Sequence, residues 1–166
     1  QHLTNRRQRQ MCIRDRLQHE RKFISNFGLA AAMGSKKDVV SLAKKHFGED
    51  EGKISNPIFR SKVIDHKMKE HAFGLTLQRA ADEGGKASAV ASMFKYYGTE
   101  HNKRRHELMV AASGVNGLAW DGNEFDDSEK NLTRAWLRTK GNSIEGGTSE
   151  VQLNVISKRV LELPSG

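Results

Sequence analysis

Apolar residues in this chain recur every three or four positions, and paired glycines, prolines and loop-like stretches separate those runs. With no convincing run of alternating apolar residues to make strands, that pattern restricts the fold to helices packed side by side. The first run covers about 17–46, with Phe23, Phe27, Ala30 or Ala31, Val39, Leu42 and Ala43 at helical spacing; Gly34 and Ser35 interrupt it and Gly48 stops it. Asn56 and Pro57 then predict a helix start, since asparagine caps well and proline at the first helical position gives up an N–H that had no partner there. Phe59, Val63, Ile64, Met68, Ala72 and Leu75 form the expected inner face of this second helix, which ends at Gly84 and Gly85.

A third helix is expected over 87–112, striped by Val90, Phe94, Tyr97, His101, Leu108 and Ala111. Polar residues break the stripe between His101 and Arg105, so that turn should meet solvent, a ligand or a partner. The fourth helix, 128–140, stops at Gly141 and Asn142. The last, 149–161, begins with Ser149 and Gln152 in capping-box spacing, after a second possible cap at Thr148. Residues 119–130 are the nearest thing to a linker. The expected class is all-α: an antiparallel, up-and-down four-helix bundle with an extra short C-terminal helix.

Residues 6–16, RRQRQMCIRDR, resemble one reading frame of a sequencing-library adapter, so 1–16 is read as a non-native extension, expected to be disordered, and 17–166 as the domain. The extension holds five arginines and one aspartate, four of the eight formal positive charges, and the only cysteine, Cys12. The domain thus has no thiol for a disulfide, a metal or nucleophilic catalysis. A basic arm for nucleic acid is the competing reading. The longest apolar runs are too short to span a bilayer, so no membrane span is expected and a cytoplasmic location is.

His66 and His71, like His101 and His106, lie five residues apart, about 140° around a helix, and make poor ligand pairs; no metal site is expected. HNKRRHE, 101–107, could bind phosphate or nucleic acid but reads better as a solvated or intersubunit helix face, lacking the aromatic residues that stack bases. Asp65 and Lys69 read as an ordinary surface pair.

The C-terminal segment WLRTKGNSIEGGTSEVQLNVISKRVLELP, 136–164, resembles the closing segment of the acyl-CoA dehydrogenases, with Trp136, Leu137, Arg138, Ile144, Gly146, Gly147, Thr148, Ser149, Glu150, Gln152, Asn154, Arg159, Val160, Leu161, Leu163 and Pro164 in register. LQHERKF, KKHFG, the asparagine–proline helix start and SGVNGL follow in the family's order upstream. The resemblance implies the C-terminal helical bundle of a larger protein, truncated before Leu17 and inactive alone. It also implies FAD as cofactor and oxidation of acyl-CoA thioesters to trans-2-enoyl-CoA, as in fatty-acid β-oxidation. The implied assembly is a homodimer or homotetramer, and electron-transfer flavoprotein is the implied acceptor. Two alternatives stay open: a non-catalytic structural subunit of a hetero-oligomer, and a basic helical nucleic-acid-binding module.

In many members the catalytic base directly precedes Gly-Thr; here that slot is Gly146. Others carry it near the start of the bundle's first helix in a context like L-x-x-E-R, which Leu17, Glu20 and Arg21 match, so Glu20 is the first choice and Glu145 the second. The plainer reading of Glu20 is an ordinary first-turn glutamate favoured by the helix dipole. By position, Gly146, Gly147, Thr148 and Glu150 match the stretch against the flavin's nucleotide portion. Gly114 and Gly117 match the family's G-x-x-G beside a neighbour's dinucleotide. Phe47 matches the phenylalanine of R-x-x-F-G, and Lys44 replaces its arginine, keeping charge but losing the bidentate fork. Ala111, Pro57 and Leu153 are further departures from the common form.

Overall fold

The structure, a computed structural model, describes residues 38–82 and 88–164, with only the backbone of 88–90. Residues 1–16, Glu20, the earlier part of the expected first helix with Gly34 and Ser35, and Gly84 and Gly85 lie outside the described residues. Helices α1 (Val39–Phe47), α2 (Pro57–Asp82), α3 (Ser88–Ala112), α4 (Asp127–Asn142) and α5 (Ser149–Arg159) make the fold all-α. A 3-10 turn, Gly114–Leu118, follows α3. A two-residue hairpin, β1 (Glu49–Asp50) with β2 (Lys53–Ile54), is an addition to the sequence reading. Its corner residues Glu51 and Gly52 both have positive φ, 46° and 78°, as a tight primed turn requires. Strands this short carry too few residues for alternation to register.

Local chemistry sets the helix starts. Asn56 caps α2 as expected, its Oδ1 accepting from the Phe59 amide at 2.9 Å. Helix α4 starts at Asp127 because Asp126 and Glu129 form a capping box, with reciprocal bonds of 2.9 and 3.0 Å. Thr148, rather than Ser149, caps α5, accepting from the Val151 amide. The expected Ser149–Gln152 box does not form, because the Gln152 side chain turns inward.

Helix α3 is the spine and packs against α1, α2, α4, α5 and the 3-10 turn. At its C-terminal half, Leu108, Met109 and Ala112 join Val39, Ala43, Ile54, Phe59, Val63 and Leu132 in the apolar core. The expected α2 face is corrected in part. Phe59 and Val63 are buried, and His66 continues their stripe, whereas Ile64, Met68 and Leu75 are 52%, 67% and 54% exposed. The latter lie about 150° round the helix from the stripe that meets α1 and α3, so they form a separate flank.

On α3, Leu108 is buried but Ala112 takes the place expected of Ala111. Phe94 and Tyr97 face α2, where Phe73 meets them at ring-centroid distances of 6.0 and 5.0 Å. The opposite side of α3 buries Ser92, Lys95 and Thr99. A single stripe could not be read there because the helix is covered from two sides, one of them polar.

The linker-like stretch is held by packing. Ala119 is buried, Thr133 Oγ1 donates to the Gly117 carbonyl at 2.8 Å, and the Arg134 guanidinium lies over the Trp120 ring. Among the described residues no helix is long and apolar enough to cross a membrane.

Burial separates these positions energetically. Leu108→Ala is expected to cost about 2–5 kcal/mol through lost contacts and the cavity left behind. Met68→Ala should stay within about 0.5 kcal/mol. Urea unfolding of the two variants checks the ranking.

Candidate functional site

The bend between α4 and α5 is shaped by two glycines in left-handed conformation, Gly146 at φ 65° and Gly147 at φ 99°. A Cβ at Gly147 would also meet Gln152 Nε2 at 2.7 Å, so conformation and space both demand glycine. Both carbonyls are held from inside. Gln152, fully buried, donates from Nε2 to the Gly146 oxygen at 2.8 Å. Lys95, equally buried, donates from Nζ to the Gly147 oxygen at 2.7 Å.

A second anchor sits one turn along α3. Glu100 Oε1 accepts from the Ser143 and Ser149 hydroxyls at 3.0 Å each, bracketing the bend. Lys103 Nζ lies 2.9 Å from Glu100 Oε2 and donates to Ser143 Oγ at 2.8 Å. Partial burial works to raise the Glu100 pKa, but hydrogen bonds from Lys103, Ser143 and Ser149 outweigh it and hold the carboxyl below the ordinary glutamate value. Of the polar turn expected between His101 and Arg105, Lys103 joins the seat of the bend, while Lys95 and Glu100 lie before it.

What the bend presents outward is Thr148 and Glu150. Glu150 is exposed, and hydrogen bonds from the Thr148 hydroxyl and then from its own amide lower its carboxyl pKa. The Ser149 amide is spent on the Ser143 carbonyl and the Val151 amide on Thr148 Oγ1. The bend thus offers side-chain oxygens more than bare amides.

The other expected residues lie at the far end of α3. Gly114 has φ 58° and open space where a Cβ would stand, whereas a Cβ on Gly117 would collide with the Val110 carbonyl. Close packing against α3 thus explains Gly117 without a ligand. Phe47 packs on Phe59 at 4.7 Å between centroids, and Lys44 Nζ pairs with Glu49 at 3.0 Å. From Glu100 to the end of α3 the helix rises about 18 Å, so the two groups of residues do not form one pocket in one chain.

Glu145 stands beside the bend with both carboxylate oxygens engaged, one by Arg138 and the other by Asn142. Glu20 lies outside the described residues. Asp65 and Lys69 form the expected exposed pair at 2.8 Å. In the basic stretch, Arg105 is buried, Lys103 is bound to Glu100, and Arg104 lies 3.7 Å from Glu107, which disperses the charge that a nucleic-acid face would concentrate.

Sequence reading missed Lys95, Glu100 and the inward Gln152. The available signal was a polar spacing of 92, 95 and 99 opposite the aromatic stripe. It also missed that one histidine from each sequence pair meets the other: His66 and His101 stack at 4.1 Å between ring centroids.

The acyl-CoA dehydrogenase C-terminal domain model matches residues 11–161, and the chain belongs to that family. Acyl-CoA dehydrogenase IpdE1 of Mycolicibacterium smegmatis is 36% identical over 128 residues, 76% of this chain and 30% of that protein. IpdE1 of Mycobacterium tuberculosis is 26% identical over 127 residues, 76% of this chain and 31% of that protein. The chain therefore spans less than a third of the length of these curated relatives.

Two solved structures share the fold. One is a variant of the Tcur3481–Tcur3483 steroid ACAD, with TM-score 0.70 and 21% identity over 93% of this chain and 40% of the other. The second is the ChsE4–ChsE5 complex from Mycobacterium tuberculosis, with TM-score 0.63 and 20% identity over 77% of this chain and 34% of the other.

Two outcomes test the bend. Gly147→Ala should reach the upper end of about 1–3 kcal/mol of destabilisation, strain adding to overlap with Gln152, while Gly114→Ala stays near the lower end. Because the folded-state pKa of Glu100 is depressed, its anchorage is present above the ordinary glutamate value and is lost as pH falls through the lowered one. The protection of the Ser149 amide, taken relative to its intrinsic exchange rate at each pH, should fall across that window, and Glu100→Gln should remove that fall.

Proposed function

We propose that this chain is the C-terminal part of a flavin-dependent acyl-CoA dehydrogenase whose parent converts acyl-CoA thioesters to trans-2-enoyl-CoA. Residues 17–166 are its bundle domain, 1–16 is an appended extension, and the chain does not turn over substrate alone. Family membership supports the reading, and the Gly146–Glu150 bend is the observation that carries it. FAD, when bound, supplies the two-electron acceptor.

The residues present fit a dinucleotide. The exposed, ionised Glu150 is an acceptor matched to the hydroxyls of a ribose, and Thr148 stands beside it. Gly146 and Gly147 set the bend's shape while their carbonyls stay occupied within. Lys44, paired with Glu49 here, would supply charge suited to a pyrophosphate on exchanging that partner, and Gly114 leaves its approach open. Because these last lie at the other end of α3, they would serve a second dinucleotide held mainly by another protomer, which makes a homodimer or homotetramer part of the proposal. The substrate is an acyl-CoA, the electron acceptor is electron-transfer flavoprotein, and the location is cytoplasmic.

Glu20 is the proposed base. It would remove the substrate's α-proton from the face opposite the flavin, a role for which Glu145, held by Arg138 and Asn142, is poorly placed. A second reading, a non-catalytic subunit of a hetero-oligomer, is favoured by Gly146 in the usual glutamate slot. The ChsE4–ChsE5 relative is itself a complex of two named chains.

In the whole-length parent, Glu20→Gln is expected to lower kcat about 10²–10⁴-fold and Glu145→Gln to leave it within tenfold. Full activity in both variants eliminates both assignments and favours the structural-subunit reading. The purified chain itself should lack flavin absorbance; stoichiometric FAD with enoyl-CoA formation would contradict its incompleteness.

A further inference from the structure

We infer that His66, Glu70 and His101 form a binding site for a divalent transition ion of the zinc class, with two imidazoles and one carboxylate as ligands. The inference concerns the α2–α3 interface and does not rest on the flavin reading. His66 and Glu70 are four residues apart on α2 and so share a face, and His101 meets them from α3. One ligand atom of each lies within 4.8 Å of the others. Tetrahedral zinc holds its ligand atoms about 3.4 Å apart, so modest closure suffices.

The second observation is an unsatisfied interior. His66 is only 2% exposed, yet neither of its ring nitrogens has a hydrogen-bond partner, and Nε2 of His101 is likewise buried without one. Buried polar groups in this state call for an explanation, and an ion would take one nitrogen from each ring. Burial pushes the His66 pKa down to about 4 and lowers that of His101, which keeps both rings neutral, the form that ligates metal. Lys67 holds Glu70 Oε2 at 2.9 Å and so orients the carboxylate as an outer partner would. Lys67 and Arg105 oppose a cation electrostatically; Glu70 and Asp38 offset them.

The two imidazole planes are 7° from parallel. Ring-nitrogen lone pairs lie in those planes, so both can address one ion only if a ring turns. His101 is the one with room, since it lines a cleft of about 940 Å³ between α2 and α3. The same cleft leaves the fourth coordination position open to water or a small ligand. Two histidines and a glutamate with an open position are a donor set suited to zinc, and also to cobalt and nickel.

The test uses the full chain carrying Cys12→Ser, so that no thiolate competes, stripped of metal and titrated with Zn²⁺ by calorimetry and with Co²⁺ by visible absorption. One equivalent should bind, with the intense bands of four-coordinate cobalt. His101→Gln and Glu70→Gln, at partly exposed positions where folding should survive, should each weaken binding at least about 100-fold, since outer partners alone are worth 10–100-fold. His46→Gln, on the exposed end of α1, should change nothing, and circular dichroism checks each variant's fold. Absence of stoichiometric Zn²⁺ binding, or affinity unmoved by both ligand variants, overturns the inference.

Discussion

The arrangement depends on one ammonium group. Lys95 Nζ reaches the Gly147 carbonyl from a position with no solvent exposure. A buried lysine is costly unless its charge is matched, and here its position ties the start of α3 to a bend more than fifty residues later in the chain. Glu100 completes the attachment to α3, and Gln152 braces the bend from within, so polar contacts fix where α5 starts. Those contacts occupy the bend's interior, which is why Thr148 and Glu150 are the groups left facing out.

From that attachment α3 divides into two working ends. Its first half carries the polar seat of the bend, and its second half carries the apolar core with α1, the hairpin and α4. The residues matched by position to the family's nucleotide contacts split between the same two ends. A rigid helix keeps them apart, so whatever one end holds is held independently of the other within a chain.

Much of this was legible in the residues. The asparagine–proline start of α2, the Gly48 stop of α1, the Thr148 cap and the register of 136–164 each rest on local chemistry, which a sequence records directly, whereas α4 runs through the expected stop at Gly141 to Asn142. The α2 face was half legible. Phe59 and Val63 fell in the right stripe, but Ile64 and Met68 are as apolar as their neighbours, and only tertiary contacts decide which flank is covered. The polar seat was hidden because Lys95 and Glu100 look like part of a solvated face until the bend whose carbonyl and hydroxyls they hold is laid against them. The His66–His101 contact was hidden for a similar reason: their partnership crosses two helices, and periodicity within one helix cannot report it.

The uncovered flank of α2 has a thermodynamic consequence. Ile64, Met68 and Leu75 stand exposed on one side of the same helix. Water ordered around such groups is released when any surface closes over them, with a negative change in heat capacity and little enthalpy near room temperature. Association through this flank would weaken on chilling and tighten on warming. Preparations kept cold would then favour separated chains.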